Sequence, residues 1–502
     1  VASFIQSINS GYKLPLINIE VDPSQAGTPV QNLEALLVGY MLSTGTAQPN
    51  KPVACGSISN AKTLFGEGSM LARMFEMYFA VDQGTPIICL PVSEPSAGVA
   101  ATGSVTFAGP AAQPGTLNLY IAGQKVSVAV GLGDTAAQLA TKAVAALSAA
   151  PSLPVTAAVD GTTTSKVNLT ARHKGIALNE IRVEDSILGI NGGETVPAGV
   201  TITYPTGNVL SGGTGVPDWS TPIGALNDDP YEWTAMPFTD TGSLQAWDTE
   251  FGFTDAGRWG WIRQTYGQIF QARKDTYQGH FTWGQLQNSG VISTMEDELA
   301  SPTPSWELAA IYTADAAKSL GNDPGLPLQF LPLTGHIPAP RDQRFSRTEL
   351  NGLAHVGLAI KDVRAGVSTI MREQTQYQKS VTGRPDNAYE LVTTLSTLAT
   401  IFRRLIQAVE QTYGRCKLAD DGTRIKPGAR ITTPALVKAF LCALYDLMED
   451  DGLVENSDAF AANLVVQRAA DADTLEVYFP PDIINGLRRF NVRAGFRLQF
   501  QS

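Results

Sequence analysis

From Leu33 to Leu42 the chain is apolar almost without interruption. The run is far shorter than the ~20 residues that cross a bilayer. It fits a strand covered on both faces, as in a parallel sheet packed between helices. Glu67-Gly68-Ser69 then opens a helix through Phe79, with Ser69 as N-cap. Its apolar residues Met70, Leu71, Met74, Met77 and Tyr78 recur at helical spacing. A second buried strand is expected from Pro86 to Val92.

At about Ala97 the pattern changes. From there to about Pro205 Trp and Cys are absent and acids balance bases. Leu117, Leu119 and Ile121 alternate on one side of Gly123, and Val126, Val128 and Val130 on the other, a hairpin signal. Val167 and Leu169, Ile181 and Val183, and Val200, Ile202 and Tyr204 add strands, while Asp134 is the expected cap of a helix to Leu147. This segment reads as an inserted β-rich module. All seven tryptophans lie between Trp219 and Trp306, where an apolar α/β core resumes. The acids from Asp228 to Asp255 have no base among them and read as a solvated face.

With 502 residues the chain has room for about three domains at ~150 residues each. Its 43% hydrophobic content excludes general disorder. Lys plus Arg number 36 and Asp plus Glu 47, a net charge of −11 that argues against coating nucleic acid. Val1-Ala2-Ser3-Phe4-Ile5-Gln6 lacks the head of an export signal, so folding in the cytoplasm and no membrane insertion are expected. Cys55, Cys89, Cys416 and Cys442 are too scattered for a disulfide scaffold or metal knuckle and read as buried inert thiols. No cofactor and no metal are expected.

Catalytic signatures are lacking. Gly212-Gly213-Thr214-Gly215 lacks the Lys that follows in a phosphate loop, and Gly131-Leu132-Gly133 reads as a turn before a helix. His336, Ser346 and Asp342 form only a nominal triad without a nucleophile elbow. His355 reads as interior, and Asp420-Asp421 before Gly422 as a turn.

The last third is strongly patterned. Leu391, Leu395, Leu398, Phe402, Leu405 and Val409 line one face of a long helix. Thr433 caps and Pro434 starts another, ending near Gly452. Strands follow at Leu464 to Gln467 and Leu475 to Phe479. Two strands stand isolated near the ends: Ile17-Asn18-Ile19-Glu20-Val21, and Val492, Ala494, Phe496, Leu498 and Phe500 alternating with Arg493, Gly495, Arg497 and Gln499. A strand cannot stand alone. Charge is blocked as well: Arg415, Lys417, Arg424, Lys426 and Arg430, then Asp446, Glu449, Asp450, Asp451, Glu455 and Asp458, then Arg488, Arg489, Arg493 and Arg497. Opposed blocks suit self-association or docking on a partner.

Lys417-Leu418-Ala419-Asp420-Asp421-Gly422-Thr423-Arg424, Gly452-Leu453-Val454-Glu455-Asn456 and Pro480-Pro481-Asp482-Ile483-Ile484-Asn485 resemble the C-terminal part of Mu-like contractile tail sheath proteins. Phe65-Gly66-Glu67-Gly68-Ser69-Met70-Leu71, Ser301-Pro302-Thr303-Pro304-Ser305-Trp306-Glu307 and Pro340-Arg341-Asp342-Gln343-Arg344-Phe345 are similar to the same family. The resemblance implies a bacteriophage virion protein, assembled in the host cytoplasm, and not an enzyme. It polymerises as stacked rings around the tail tube, meets baseplate and tail terminator proteins, and contracts to drive the tube through the host envelope. Terminal arms add strands to neighbouring subunits.

The expected fold is α/β and α+β, multidomain, with extended terminal β arms. It comprises an N-terminal arm with part of the inner domain (1–30), an α/β core (31–96 and 206–375), an inserted β-rich outer domain (97–205), an inner α+β domain built from both termini (376–485) and a C-terminal arm (486–502). The arms are assigned Ile17, Ile19 and Val21, and Val492, Ala494, Phe496, Leu498 and Phe500. Tube contact is assigned to the basic loop and following helix through Lys417, Arg424, Lys426 and Arg430. A surface adhesin, suggested by the Thr/Gly-rich module, and a subtilisin-like hydrolase, suggested by a comparison drawn for the sheath core, are the alternatives.

Overall fold

A computed structural model describes residues 33–426 and 428–496. The apolar run forms the strand Glu34–Tyr40, buried almost throughout. It lies inside a six-stranded sheet whose spatial order is Ile292–Glu298, Gln268–Asp275, Tyr231–Ala235, Glu34–Tyr40, Ile87–Val92 and Val53–Ala54. Neighbours are parallel except the short last strand. Leu36 lies opposite both Thr234 and Ile88, so main-chain bonds and apolar cover surround it.

Helices Met70–Val81 and Ser305–Leu320 pack on this sheet and on each other. Ser69 caps the first as expected, its side chain accepting from the Ala72 amide. Across the helix pair Arg73 donates to Glu307 through Nε at 3.0 Å and Nη2 at 3.2 Å. This two-pronged contact is buried, where a charge left alone is costly.

Between Val92 and Tyr231 the chain builds two antiparallel sheets. One is ordered Thr201–Thr203, Ala100–Ala108, Lys166–Lys174, Val155–Val159; the other Gln124–Val130, Gly115–Ile121, Val183–Asp185. The expected hairpin closes at Ala122-Gly123, both with positive φ, the tight turn that matches strand twist. The helix Ala136–Ser148 is capped by Thr135 with Gln138 reaching back, not by Asp134. The Asp134 carboxylate accepts from the Gly131 amide at 2.6 Å and pairs with Lys142, bracing the preceding turn instead.

The acids between Asp228 and Asp255 are only in part a solvated face: Asp228, Asp229, Asp248 and Asp255 are exposed, but Glu232 is buried and Asp240 and Glu250 are half-buried. Glu250 pairs with Arg258 and Arg263, Asp228 with Arg263, and Glu232 with Arg403. Asp240 caps the helix Thr241–Phe251, and Asp248 accepts from Ser289. The bases that neutralise them lie downstream, so a scan for intervening bases misses them.

The helix Val392–Tyr413 starts one residue after Leu391, which is its N-cap. Val392 and Leu395 join the main core, while Ile401 belongs to a second one with Val437, Leu441, Tyr445, Met448 and Phe460. At ~1.5 Å per residue this rod of about 33 Å links both cores. The helix Pro434–Asp450 is capped by Thr433. It packs with Ser457–Asn463 and an antiparallel hairpin, Val465–Arg468 with Leu475–Tyr478. Tyr445 stacks on Phe460 at 3.8 Å between ring centres. Cys55 and Cys89 are buried, but Cys416 and Cys442 are half-exposed, Cys442 at the edge of this smaller core. Among the described residues no helix is long and apolar enough to cross a membrane.

Candidate functional site

The chain reaches its C-terminal segment through Pro480-Pro481, where two of the sequence motifs meet. The Asp482 amide donates to the Tyr445 hydroxyl at 3.1 Å, and its carbonyl accepts from the Glu455 amide at 2.9 Å. Asn456 donates to the Asp482 carboxylate at 2.8 Å, and Val454 bridges Ile483. Val454-Glu455-Asn456 and Asp482-Ile483 therefore form one clasp over the smaller core.

Beyond it the chain crosses to the main body. Gln329 Nε2 donates to the Leu487 carbonyl at 2.9 Å, and Arg488 meets Glu373 and Thr393. After Arg488 the chain is extended into solvent: Phe490, Val492 and Phe496 are 82%, 71% and 86% exposed. Val492, Ala494 and Phe496 pair with no strand among the described residues. Leu498 and Phe500, with Ile17, Ile19 and Val21, lie outside the described residues.

The hairpin Val465–Arg468 with Leu475–Tyr478 is a two-stranded sheet, and Val465, Val477 and Tyr478 are exposed on it. Among the described residues neither edge carries a third strand. Two strands are marginal by themselves.

Lys417, Arg424, Lys426 and Arg430 are all exposed, and all stand in the loop and its short bounding strands rather than on a helix. Lys417–Leu418 pairs in parallel with Ile431–Thr432 and closes the loop. Asp420 and Asp421 do form a turn, with Gly422 at positive φ. Each also anchors the loop, Asp420 accepting from Arg468 at 2.6 Å and Asp421 from the Ala435 amide at 3.0 Å. No ion pair engages the four cations among the described residues.

The nominal triad is dispersed. Ser346 caps the helix Arg347–Ala354, and Asp342 is exposed. His336 is buried, with Nδ1 2.7 Å from Ser368 Oγ and Nε2 3.1 Å from Ser301 Oγ and 3.2 Å from Asp297. His355 is exposed at a helix end rather than interior, because its helix stops at Ala354. The glycine runs offer no free cradle: the Gly213 amide donates to Asn179, Thr214 to Val99, and Gly131 to Asp134.

Sequence reading missed the densest charge cluster. Glu296, Asp297 and Glu298 end a sheet strand, and all three side chains are buried around Lys361 Nζ at 3.7, 3.2 and 2.5 Å. Burial by itself would raise the Asp297 carboxyl, but Lys361, His336 and Lys274 outweigh it and hold it well below the usual range. Burial keeps Glu296 well above its ordinary value in spite of Lys361. Three carboxyl groups, a lysine and a histidine, all buried, form an internal brace. The one sequence signal was Lys361 directly after Leu358-Ala359-Ile360.

A family model for the phage tail sheath C-terminal domain matches residues 384–497. The Mu-like prophage FluMu tail sheath protein of Haemophilus influenzae is 34% identical over 465 residues, 92% of each chain. Among solved structures, the sheath tail protein from Desulfitobacterium hafniense aligns over 94% of this chain and 97% of its own, at 12% identity and TM-score 0.48. The anti-feeding prophage helical sheath in the contracted state covers 97% of this chain and 100% of its own, at 11% identity and TM-score 0.44. On the strength of the near full-length relative, this chain belongs to the Mu-like phage tail sheath proteins, structural components of the virion and not enzymes.

Proposed function

We propose that this chain is the repeating subunit of a contractile tail sheath. Copies polymerise around the tail tube in the host cytoplasm, and their concerted rearrangement shortens the array and drives the tube through the host envelope. The energy is stored at assembly and no nucleotide is consumed. Baseplate and tail terminator proteins bound the polymer at its ends. The proposed inner part, built from the clasp region and both chain ends, faces the tube, and the β-rich module lies outside.

The observation that carries this reading is the exposed segment after Arg488, with Phe490, Val492 and Phe496 bare, together with a two-stranded hairpin that has open edges among the described residues. The segment from Val492 to Phe500 adds to the hairpin Val465–Arg468 with Leu475–Tyr478 of a neighbouring copy, and Ile17 to Val21 serves as a second arm. Four or five main-chain bonds at about 0.5–1.5 kcal/mol each amount to roughly 2–8 kcal/mol, before burial of alternate apolar side chains is added. These links persist while other contacts change. Lys417, Arg424, Lys426 and Arg430 face the tube, where weak salt-screened contacts release readily.

Microscopy of the purified full-length chain should show tubular polymers with a regular subunit rise. Deleting Val492 to Ser502 should abolish them while leaving the far-UV spectrum of the subunit intact. Ordered tubes from the truncated chain would rule out strand exchange through this arm.

A further inference from the structure

Three separate elements converge on residues 486–488. Gly486 lies so close to Pro327 that a Cβ there would sit 2.4 Å from the proline Cγ, so the approach admits only glycine. Gln329 holds the Leu487 carbonyl. Arg488 enters a slot between Glu373, which follows the strand Val367–Arg372, and Thr393, in the first turn of the long helix. Its Nη2 is 2.6 Å from Glu373 Oε1 and 3.0 Å from Thr393 Oγ1.

The Glu373 side chain is 0% exposed and that of Arg488 12%. A buried carboxylate needs a counter-charge. The adjacent Arg372 does not provide it, being engaged with Glu390 at 2.5 Å and Gln374 at 2.5 Å. Among the described residues Arg488 is the cation within ion-pair distance of Glu373. The residues that follow it stand in solvent. The ion pair is thus the last fixed point of the chain before the segment assigned to strand exchange.

We infer that Arg488, held by Glu373, is the positioning residue that sets the direction in which the C-terminal arm leaves each subunit. The inference rests on the strand-exchange reading above. A strand joining a neighbour transmits its direction to every copy in a helical array. A loose root would let that direction vary from subunit to subunit, and the tube would lose its regular rise. The pair also sits where tension on the arm would be borne, between a sheet strand and the start of the helix that links both cores.

The test uses the full chain carrying Glu373→Gln with Arg488→Gln, which leaves no buried charge unpaired and so keeps the subunit folded. The expected result is an unchanged far-UV spectrum with tubes absent or of irregular rise. Arg488→Lys alone keeps regular tubes, since one ammonium can replace the single nitrogen making both contacts, and its failure to do so would count against the assignment. Tubes of normal rise from the double glutamine variant would overturn it. A chain lacking residues 490–502 is run beside it. If that chain also builds ordered tubes, strand exchange itself is refuted; if it does not while the double variant does, only the role of Arg488 falls.

Discussion

His280 sits in the helix Tyr277–Gly284 with no exposed surface, and its Nε2 donates to the Asp297 carbonyl at 2.9 Å. Its Nδ1 is buried without a partner, so a second proton there would be an unpaired interior charge. Burial, only partly offset by the Asp297 carbonyl, pushes the imidazole down to about 4. In the unfolded chain it titrates near ~6.5. Between these values the unfolded chain takes up a proton that the native one refuses, so this contribution is complete above about 6.5 and falls as pH drops toward 4. His336 acts in the same direction, lowered mainly by burial. The expected outcome is that His280→Gln flattens the pH dependence of stability by roughly 2–4 kcal/mol between pH 7 and 4, read from urea unfolding at each pH. A slope equal to that of the unaltered chain would show that burial of this ring does not govern its titration. None of this was legible locally, because the partner that matters, Asp297, lies on the strand Ile292–Glu298, apart from the helix that carries the ring.

At the scale of elements, the β-rich module is fastened to the core at two helix N-termini. The Ser305 amide and hydroxyl donate to Glu180 at 2.8 and 2.6 Å, and the Met70 amide donates to His173 Nε2 at 3.0 Å. First-turn amides have no partner within their own helix, and a carboxylate there also meets the positive end of the helix dipole. Glu180→Ala should therefore cost about 1–3 kcal/mol and speed amide exchange in residues 305–308. Unchanged exchange would mean that the helix does not depend on the module. The helix Met70–Val81 was readable from apolar spacing and Ser69 from its position, whereas the helix Ser305–Leu320 was not read from the sequence at all. The partners from the module were not readable either, since Glu180 is remote in sequence from Ser305 and His173 from Met70. The failed assignment of Asp134 teaches the same lesson at short range: of two adjacent capping residues, the winner is the one whose backbone turns into the helix.

For the whole molecule, the acidic total conceals an exposed basic loop. Reversing Lys417, Arg424, Lys426 and Arg430 to Glu should leave the melting temperature within a degree or two, as surface changes within about 0.5 kcal/mol do. Assembly onto tubes should weaken and its dependence on salt should change, measured by pelleting across ionic strengths. Reversed chains that assemble with unchanged salt sensitivity would place the tube contact elsewhere. The charge blocks were plain in the sequence, but the expected following helix carries none of the four residues, because the loop closes on Ile431–Thr432 before Thr433 caps the helix.

Periodicity, caps and turn chemistry act over a few residues, so the sequence by itself determined the central strand Glu34–Tyr40, the hairpin at Ala122-Gly123 and the two long C-terminal helices. It also carried the family through short motifs in order. Only the tertiary structure decided which charges are buried together, such as Lys361 with Glu296, Asp297 and Glu298, and where the C-terminal segment is held, at Glu373 and Arg488. A buried ion pair is chosen by the geometry that brings two distant stretches out of water together, and neither stretch records that geometry alone.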